Sequence, residues 1–255
     1  MQRHRTVLAC ILSAAVGFAS ALVVVPRSSA GDSPEPRATP GAVVFGVRTN
    51  QHLVALTFDD GPDPRWTPQV LALLHRFHAT ATFFDVGRQV LARPDLVQAE
   101  LAAGNQIGDH TWSHPDLATL SPSAVQAEIA KGADALRSAG APEPHLFRPP
   151  YGYTDEAVGV LADASQYRTV FWNLTVERFV DHADGVAGGV ARMLTRVRPG
   201  TIILAHDGGV PDRSRTLAAL PLLLGGLASR GYRVVDVDTL LRAASPVAAA
   251  ARAAP

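Results

Sequence analysis

Residues 53–62 read Leu-Val-Ala-Leu-Thr-Phe-Asp-Asp-Gly-Pro: six mainly apolar residues, two adjacent acids, then a Gly-Pro break. An apolar run of this length, without polar alternation and ended by turn residues, predicts a strand over 53–58 that is buried on both faces. Such strands belong in a parallel sheet covered by helices. Six further stretches repeat the pattern, at 81–86, 106–109, 145–148, 169–174, 201–205 and 232–237. Helical stretches alternate with them. Thr67-Pro68, Ser121-Pro122 and Thr154-Asp155-Glu156 each combine a hydroxyl with Pro or acids, which marks helix starts for 67–76, 121–137 and 154–164. Two more helices are expected over 186–197 and 215–230. About seven βα units, with no Gly-rich dinucleotide fingerprint, favour a closed or nearly closed α/β barrel over an open sheet.

A parallel barrel gathers its chemistry where the strands end, and four polar clusters fall there. Asp59-Asp60 follows the first strand; alone, Asp-Gly is also a common turn. His110 and His114 follow another. At i and i+4 they share a face if helical and can then share a metal, but Pro115 limits the segment to one turn or a loop. Arg148-Pro149-Pro150-Tyr151-Gly152 gives a stiff loop, and His206 ends the strand at 201–205. His75 and His78, near a helix end, read as structural cations against the dipole. Cys10 is the only cysteine, which rules out a disulfide framework and a Cys-based zinc site. Any metal must be held by His, Asp and Glu.

The chain has 255 residues, 23 Lys plus Arg against 23 Asp plus Glu, and 47% hydrophobic residues. This excludes a disordered protein and leaves ample length for a core. The absence of any long basic run argues against nucleic acid as partner. Arg3 and Arg5 precede an uncharged, mostly apolar run at 7–25, followed by Ser28-Ser29-Ala30. That is the layout of a signal peptide cleaved after Ala30. The run also approaches the ~20 residues that span a bilayer, so an uncleaved membrane anchor is the alternative. Either way the working domain is expected to be secreted or otherwise extracytoplasmic. Residues 31–48 read as linker, 49–243 as one catalytic domain, and the Ala-rich 244–255 as a disordered tail.

Thr57-Phe58-Asp59-Asp60-Gly61-Pro62, His110-Thr111-Trp112-Ser113-His114, Arg148-Pro149-Pro150-Tyr151-Gly152 and Leu204-Ala205-His206 resemble four of the five signature motifs of the polysaccharide deacetylases. These are the NodB-homology proteins of carbohydrate esterase family 4. The resemblance runs from about residue 51 to residue 241. It implies a distorted (β/α) barrel of about seven parallel strands. It also implies Asp60, His110 and His114 as metal ligands and Asp59 as general base, paired and oriented by Arg148. Tyr151 would donate its backbone N–H to an oxyanion while its ring lines a sugar groove with Pro149 and Trp172. His206 would be the general acid, with Leu204 packed beneath it. Hydrolysis of an N-acetyl group needs an activated water, a place for negative charge on the carbonyl oxygen, and a proton for the leaving amine. Zinc is the default ion for such a ligand set, and cobalt, nickel or manganese also fit it.

The fourth motif departs from the family pattern. Where an Asp-Trp pair is expected after the fifth strand, this chain has Thr175, Arg178 and Phe179. A cation near His206 would lower its pKa. Glu177 is the candidate substitute for pKa tuning, and its alternative role is a solvated acid paired with Arg178. Trp172 or Phe179 would supply the aromatic groove wall. The implied activity is N-deacetylation of a GlcNAc- or MurNAc-containing polymer, peptidoglycan or chitin-like, by a monomer. O-deacetylation of xylan-like glycans, cyclic-amide hydrolysis, and a catalytically weakened glycan-binding wall protein are the alternatives.

Overall fold

In β2 (Leu53–Asp59) every residue is buried, and the side chains divide with a period of two. Leu53 and Ala55 face an inner cluster with Phe84, Leu146, Val170 and Ile202. Val54, Leu56 and Phe58 face an outer cluster with Val70, Leu74, Leu220 and Leu224 of the covering helices. A strand serving two apolar layers carries no polar alternation, which is the pattern read at 53–58.

The computed structural model describes residues 43–152, 166–181, 184–210 and 212–244. The expected leader, Cys10, the linker up to 42, the helix at 154–164 and the tail from 245 lie outside these. Among the described residues are β1 (Val43–Val44), β3 (Thr82–Asp85), β4 (Gln106–Asp109), β5 (Leu146–Phe147), β6 (Arg168–Val170), β7 (Leu174–Thr175), β8 (Ile202–His206) and β9 (Arg233–Val235). They pair in the order β1-β6-β5-β4-β3-β2-β8-β7, with β9 also on β2. Each of these strand pairs is parallel.

β6 and β7 sit toward opposite ends of that order, yet only residues 171–173 separate them. Three residues reach at most ~11 Å, so the sheet must curl until its ends meet. The seam is irregular. Phe171 N–H donates to Val44 O at 2.7 Å, Asn173 N–H to Ile202 O at 2.9 Å and Val47 N–H to Gly200 O at 2.9 Å. Gly46 forms a single antiparallel bridge with Thr201. This is a distorted barrel, as expected.

Three expectations are corrected. The strand expected at 169–174 is two short strands, because the Arg148 side chain takes the carbonyls of Val170 and Phe171 at the bend. The linker does not run to 48, since Val43 and Val44 pair with β6 and Val44 is buried. The segment at 232–237 is a strand only over β9, after which Asp236 caps α8 (Val237–Arg242) by accepting from Thr239 N–H at 2.8 Å.

The helices α1 (Thr67–Arg76) and α4 (Pro122–Ser138) lie where expected, and Ser121 caps α4 by accepting from Ala124 N–H. Thr67 does not cap α1. Its hydroxyl accepts from Asp63 N–H and donates to Asp207. Between these helices lie α2 (Gly87–Ala92) and α3 (Pro94–Ala102), broken at Arg93. The remaining described helices are α5 (Val176–Val180), α6 (Gly185–Leu194) and α7 (Ser214–Ala228). None of the described helices is long and apolar enough to cross a membrane.

Candidate active site

Asp59 and His206 are register partners at the ends of β2 and β8, so the first and last polar clusters meet directly. Below them the Arg148 side chain is fully buried. Its Nη1 donates to Asp59 Oδ1 at 2.6 Å and Thr57 Oγ1 at 2.9 Å, its Nε to Val170 O at 2.9 Å, and its Nη2 to Phe171 O at 3.2 Å. The guanidinium also lies 4.1 Å from the Phe84 ring centroid. Burying a cation is costly unless it is paired and hydrogen-bonded, and here these acceptors compensate it. In return, Asp59 is fixed in one orientation.

Asp60 has different partners. Its backbone is left-handed, at φ 73°, a region L-residues rarely occupy. Asp60 Oδ1 lies 3.1 Å from His114 Nε2 and 3.5 Å from His110 Nε2. One ligand atom from each of the three residues falls within 4.8 Å of the others. His110 Nδ1 sits 2.6 Å from Arg148 O. A carbonyl only accepts, so that bond puts the ring proton on Nδ1 and leaves Nε2 to face an ion. One carboxylate and two imidazoles, oriented in this way, fit a divalent metal.

His110 and His114 do not share a helix face. Thr111 and His114 both have positive φ, 69° and 60°, and the segment is a loop shaped by its neighbours. Gly87 N–H and Arg88 N–H donate to the carbonyls of Thr111 and Trp112. Asp109 Oδ1 accepts from Thr111 N–H at 2.8 Å, and the Glu128 carboxylate accepts from both Ser113 N–H and its hydroxyl. The His114 ring meets His110 edge-on at 4.9 Å and Tyr151 at 4.8 Å.

Tyr151 is 61% exposed at φ 61° in a tight turn closed by Gly152 N–H donating to Pro149 O at 3.2 Å. Pro149 is itself buried, so it shapes that turn and offers little face to a ligand. Leu204 is likewise buried, two residues before His206 on the same face of β8. Trp172 packs against Gly152 and remains partly exposed. Phe179 packs instead on the outer core, which leaves the aromatic wall to Trp172.

Glu177, in the first turn of α5, reaches the site. Its Oε2 lies 3.3 Å from His206 Nδ1, an ion-pair contact without hydrogen-bond alignment. Its Oε1 accepts from His206 N–H at 3.1 Å and from the Thr216 hydroxyl at 2.9 Å. Arg178 points to solvent. Burial lowers the His206 pKa, but Glu177 opposes it and the net shift is upward; the same pairing holds Glu177 below its usual range against burial. The altered fourth motif therefore does not bring a cation against His206. Burial likewise raises the Asp60 carboxyl, and the bonds from His110 and His114 outweigh it and hold it well below the usual range. For His110, burial pulls downward and the carboxylates of Asp59 and Asp60 carry the shift upward.

Thr216, Arg213, Asp109 and Glu128 touch the site or its loops but carry no contiguous sequence signal beside a motif strand, apart from Asp109 next to His110.

The family model described as "Polysaccharide deacetylase" matches residues 46–170. The chain is 41% identical over 202 residues to a peptidoglycan-N-acetylglucosamine deacetylase of Bacillus cereus, covering 79% of this chain and 94% of the relative. It is 35% identical to a chitooligosaccharide deacetylase of Bradyrhizobium sp., covering 77% and 97%. Its fold is similar to the crystal structure of a peptidoglycan N-acetylglucosamine deacetylase, with TM-score 0.74 and 28% identity, covering 80% of this chain and 94% of that one.

Proposed function

The chain belongs to the polysaccharide deacetylase family, and from that premise we propose that it is a metal-dependent hydrolase removing N-acetyl groups from a cell-wall or extracellular polysaccharide of the peptidoglycan or chitin type. One observation carries this reading: two sequence-adjacent carboxylates differ in their nearest partners, although His110 Nε2 also lies 3.8 Å from Asp59 Oδ2. Asp59 is tied to Arg148, while Asp60 faces His110 and His114.

That separation allows two tasks. Asp60, His110 and His114 would hold the ion, with zinc the default for this donor set and cobalt, nickel or manganese as other fits. Such an ion, when bound, supplies a Lewis acid that polarises the acetyl carbonyl and acidifies water. The Asp59 carboxylate, aimed by Arg148, accepts the proton of the attacking water. Tyr151 presents its backbone N–H from a rigid turn to the oxygen on which negative charge develops. His206, with its proton affinity raised by Glu177, protonates the amine as the carbon–nitrogen bond breaks, and acetate and a free amino sugar result. The exposed Tyr151 ring and Trp172 offer aromatic faces to the sugar. The arginines at 3 and 5 and the apolar run at 7–25 support an extracytoplasmic location, where such polymers are found.

The test is acetate release by the purified domain from peptidoglycan, chitooligosaccharide and acetylxylan, with and without chelator. Chelator-sensitive release from the N-acetylated substrates supports the reading. Release from xylan alone assigns the protein to O-deacetylation. Glycan binding with acetate no higher than an Asp59→Asn control makes it a binding protein.

A further inference from the structure

Arg213 reaches the ion site from a loop that the catalytic reading does not use. After His206, residues 207–209 pass across the Asp60 backbone so closely that a Cβ on Gly208 would strike Asp60 O and one on Gly209 would strike Asp60 Oδ2. Gly209 also has φ 79°, which glycine alone adopts without strain. From the far end of this loop Arg213 folds back. Its Nε donates to Gly208 O at 2.6 Å, and its Nη2 lies 3.4 Å from Asp60 Oδ2. The two Asp60 oxygens are therefore divided, with Oδ1 facing the imidazoles and Oδ2 facing the guanidinium.

We propose that Arg213 is a positioning residue for the ion site, holding Asp60 Oδ2 so that the carboxylate meets the ion through Oδ1 alone. Its second hand, on Gly208, keeps the loop that follows His206 seated on Asp60. The inference rests on reading Asp60, His110 and His114 as ion ligands.

Two features favour this role over that of a substrate-binding cation. The Arg213 side chain is only 12% exposed, and two of its nitrogens are engaged within the protein. A cation beside a divalent ion repels it, so Arg213 contributes through orientation. Groups that orient a metal ligand typically change metal affinity by about 10–100-fold when removed.

The experiment titrates zinc into metal-free wild type, Arg213→Ala and Arg213→Lys, and records the visible spectrum of each protein with cobalt(II). Arg213→Ala is expected to bind zinc about 10–100-fold more weakly. Its cobalt spectrum changes, because the Asp60 carboxylate is no longer held in one orientation toward the ion. Lysine keeps the charge but cannot span both acceptors, so Arg213→Lys falls between. A role confined to holding the fold would lower the melting temperature and leave zinc affinity and cobalt spectrum unchanged. That result overturns the proposal. If the alanine variant does not fold, the lysine variant decides: weaker zinc binding with an altered cobalt spectrum supports the proposal, and wild-type values for both overturn it. A wild type that takes up no ion would instead overturn the ligand reading, and the Arg213 role with it.

Discussion

Glu177 Oε2 lies 3.3 Å from His206 Nδ1, while Glu177 Oε1 accepts from the His206 backbone N–H and the Thr216 hydroxyl. One carboxylate thus holds the main chain of the proposed general acid by a hydrogen bond and faces its ring as an ion pair. It does so from the residue beside the position where the family motif places its acid. The cation at that position, Arg178, is turned to solvent. A carboxylate therefore stands against His206 although residue 178 is an arginine.

Glu177→Gln should move the basic limb of the rate profile to lower pH. The folded His206 pKa is raised, so the protonated acid persists above its ordinary value and is lost as pH rises through the raised one. Without Glu177, burial dominates and pulls the pKa down. Activity above the limb should fall, tenfold for each unit by which the limb moves. The measurement is kcat/KM against pH, with bound metal assayed alongside. A profile that keeps its shape at normal metal content would remove Glu177 from proton transfer.

Asp59→Asn should lower kcat by about 10²–10⁴ while leaving zinc affinity close to wild type, because the variant removes a base but no ion ligand. Arg148→Ala has a different signature. It strips the partner from a buried carboxylate and leaves four acceptors without their donor, so it should cost about 3–5 kcal/mol of stability. Denaturant unfolding of the two variants separates the roles. Equal stability losses would mean that Arg148 and Asp59 act only as a structural pair.

Removing the ion with a chelator should abolish acetate release and lower the melting temperature, and zinc should restore both. Zinc at about 100 times its Kd contributes about 2.7 kcal/mol to the folded state, or about 5–10 °C for a chain of this size. His114→Ala should erase the zinc-dependent part of that shift and change the metal-free melting point little, since His114 is partly exposed. Scanning calorimetry with and without zinc reads both quantities. A full zinc shift in His114→Ala would exclude it as a ligand.

The site residues were legible where chemistry is contiguous in sequence and ends an apolar strand. Asp59-Asp60, His110, His114, Arg148 and His206 all lie at such points, and the barrel brings them to one rim. Geometry carried by backbone exceptions was not legible. Pro115 limits the segment of His110 and His114 to one turn or a loop, but nothing in the sequence signals the two left-handed residues that shape the loop. The bend at 171–173 looks like continuous strand, because the cause is a side chain 23 residues away in sequence taking a carbonyl. Arg213 and Thr216 were missed for the same reason. Arg213 lies 153 residues from Asp60, and Thr216 lies 39 from Glu177, in helices and loops whose own patterns are unremarkable. The short helices α2 and α3 escape periodicity analysis because Pro94 cuts the stretch before either completes three turns.

A last prediction concerns two buried acids that the proposed reaction does not use. Asp85, at the end of β3, and Glu100, on α3, are both fully buried and face each other. Burial pushes both pKa values up, and the charge of Asp85 pushes Glu100 further. For an acid raised in the folded state, the penalty is absent below the unfolded value near pH 4. It grows as pH rises, because the unfolded chain ionises first while the folded Asp85 keeps its proton up to about pH 7. Asp85→Asn removes one ionisable partner at nearly constant volume, and its amide can donate to Glu100. The variant should therefore melt about 3–6 °C above wild type at pH 8 and show no gain at pH 4. Melting curves of both metal-free proteins at the two pH values decide it. An equal gain at both would place the effect in packing, and no gain at pH 8 would mean that the buried pair already ionises without penalty.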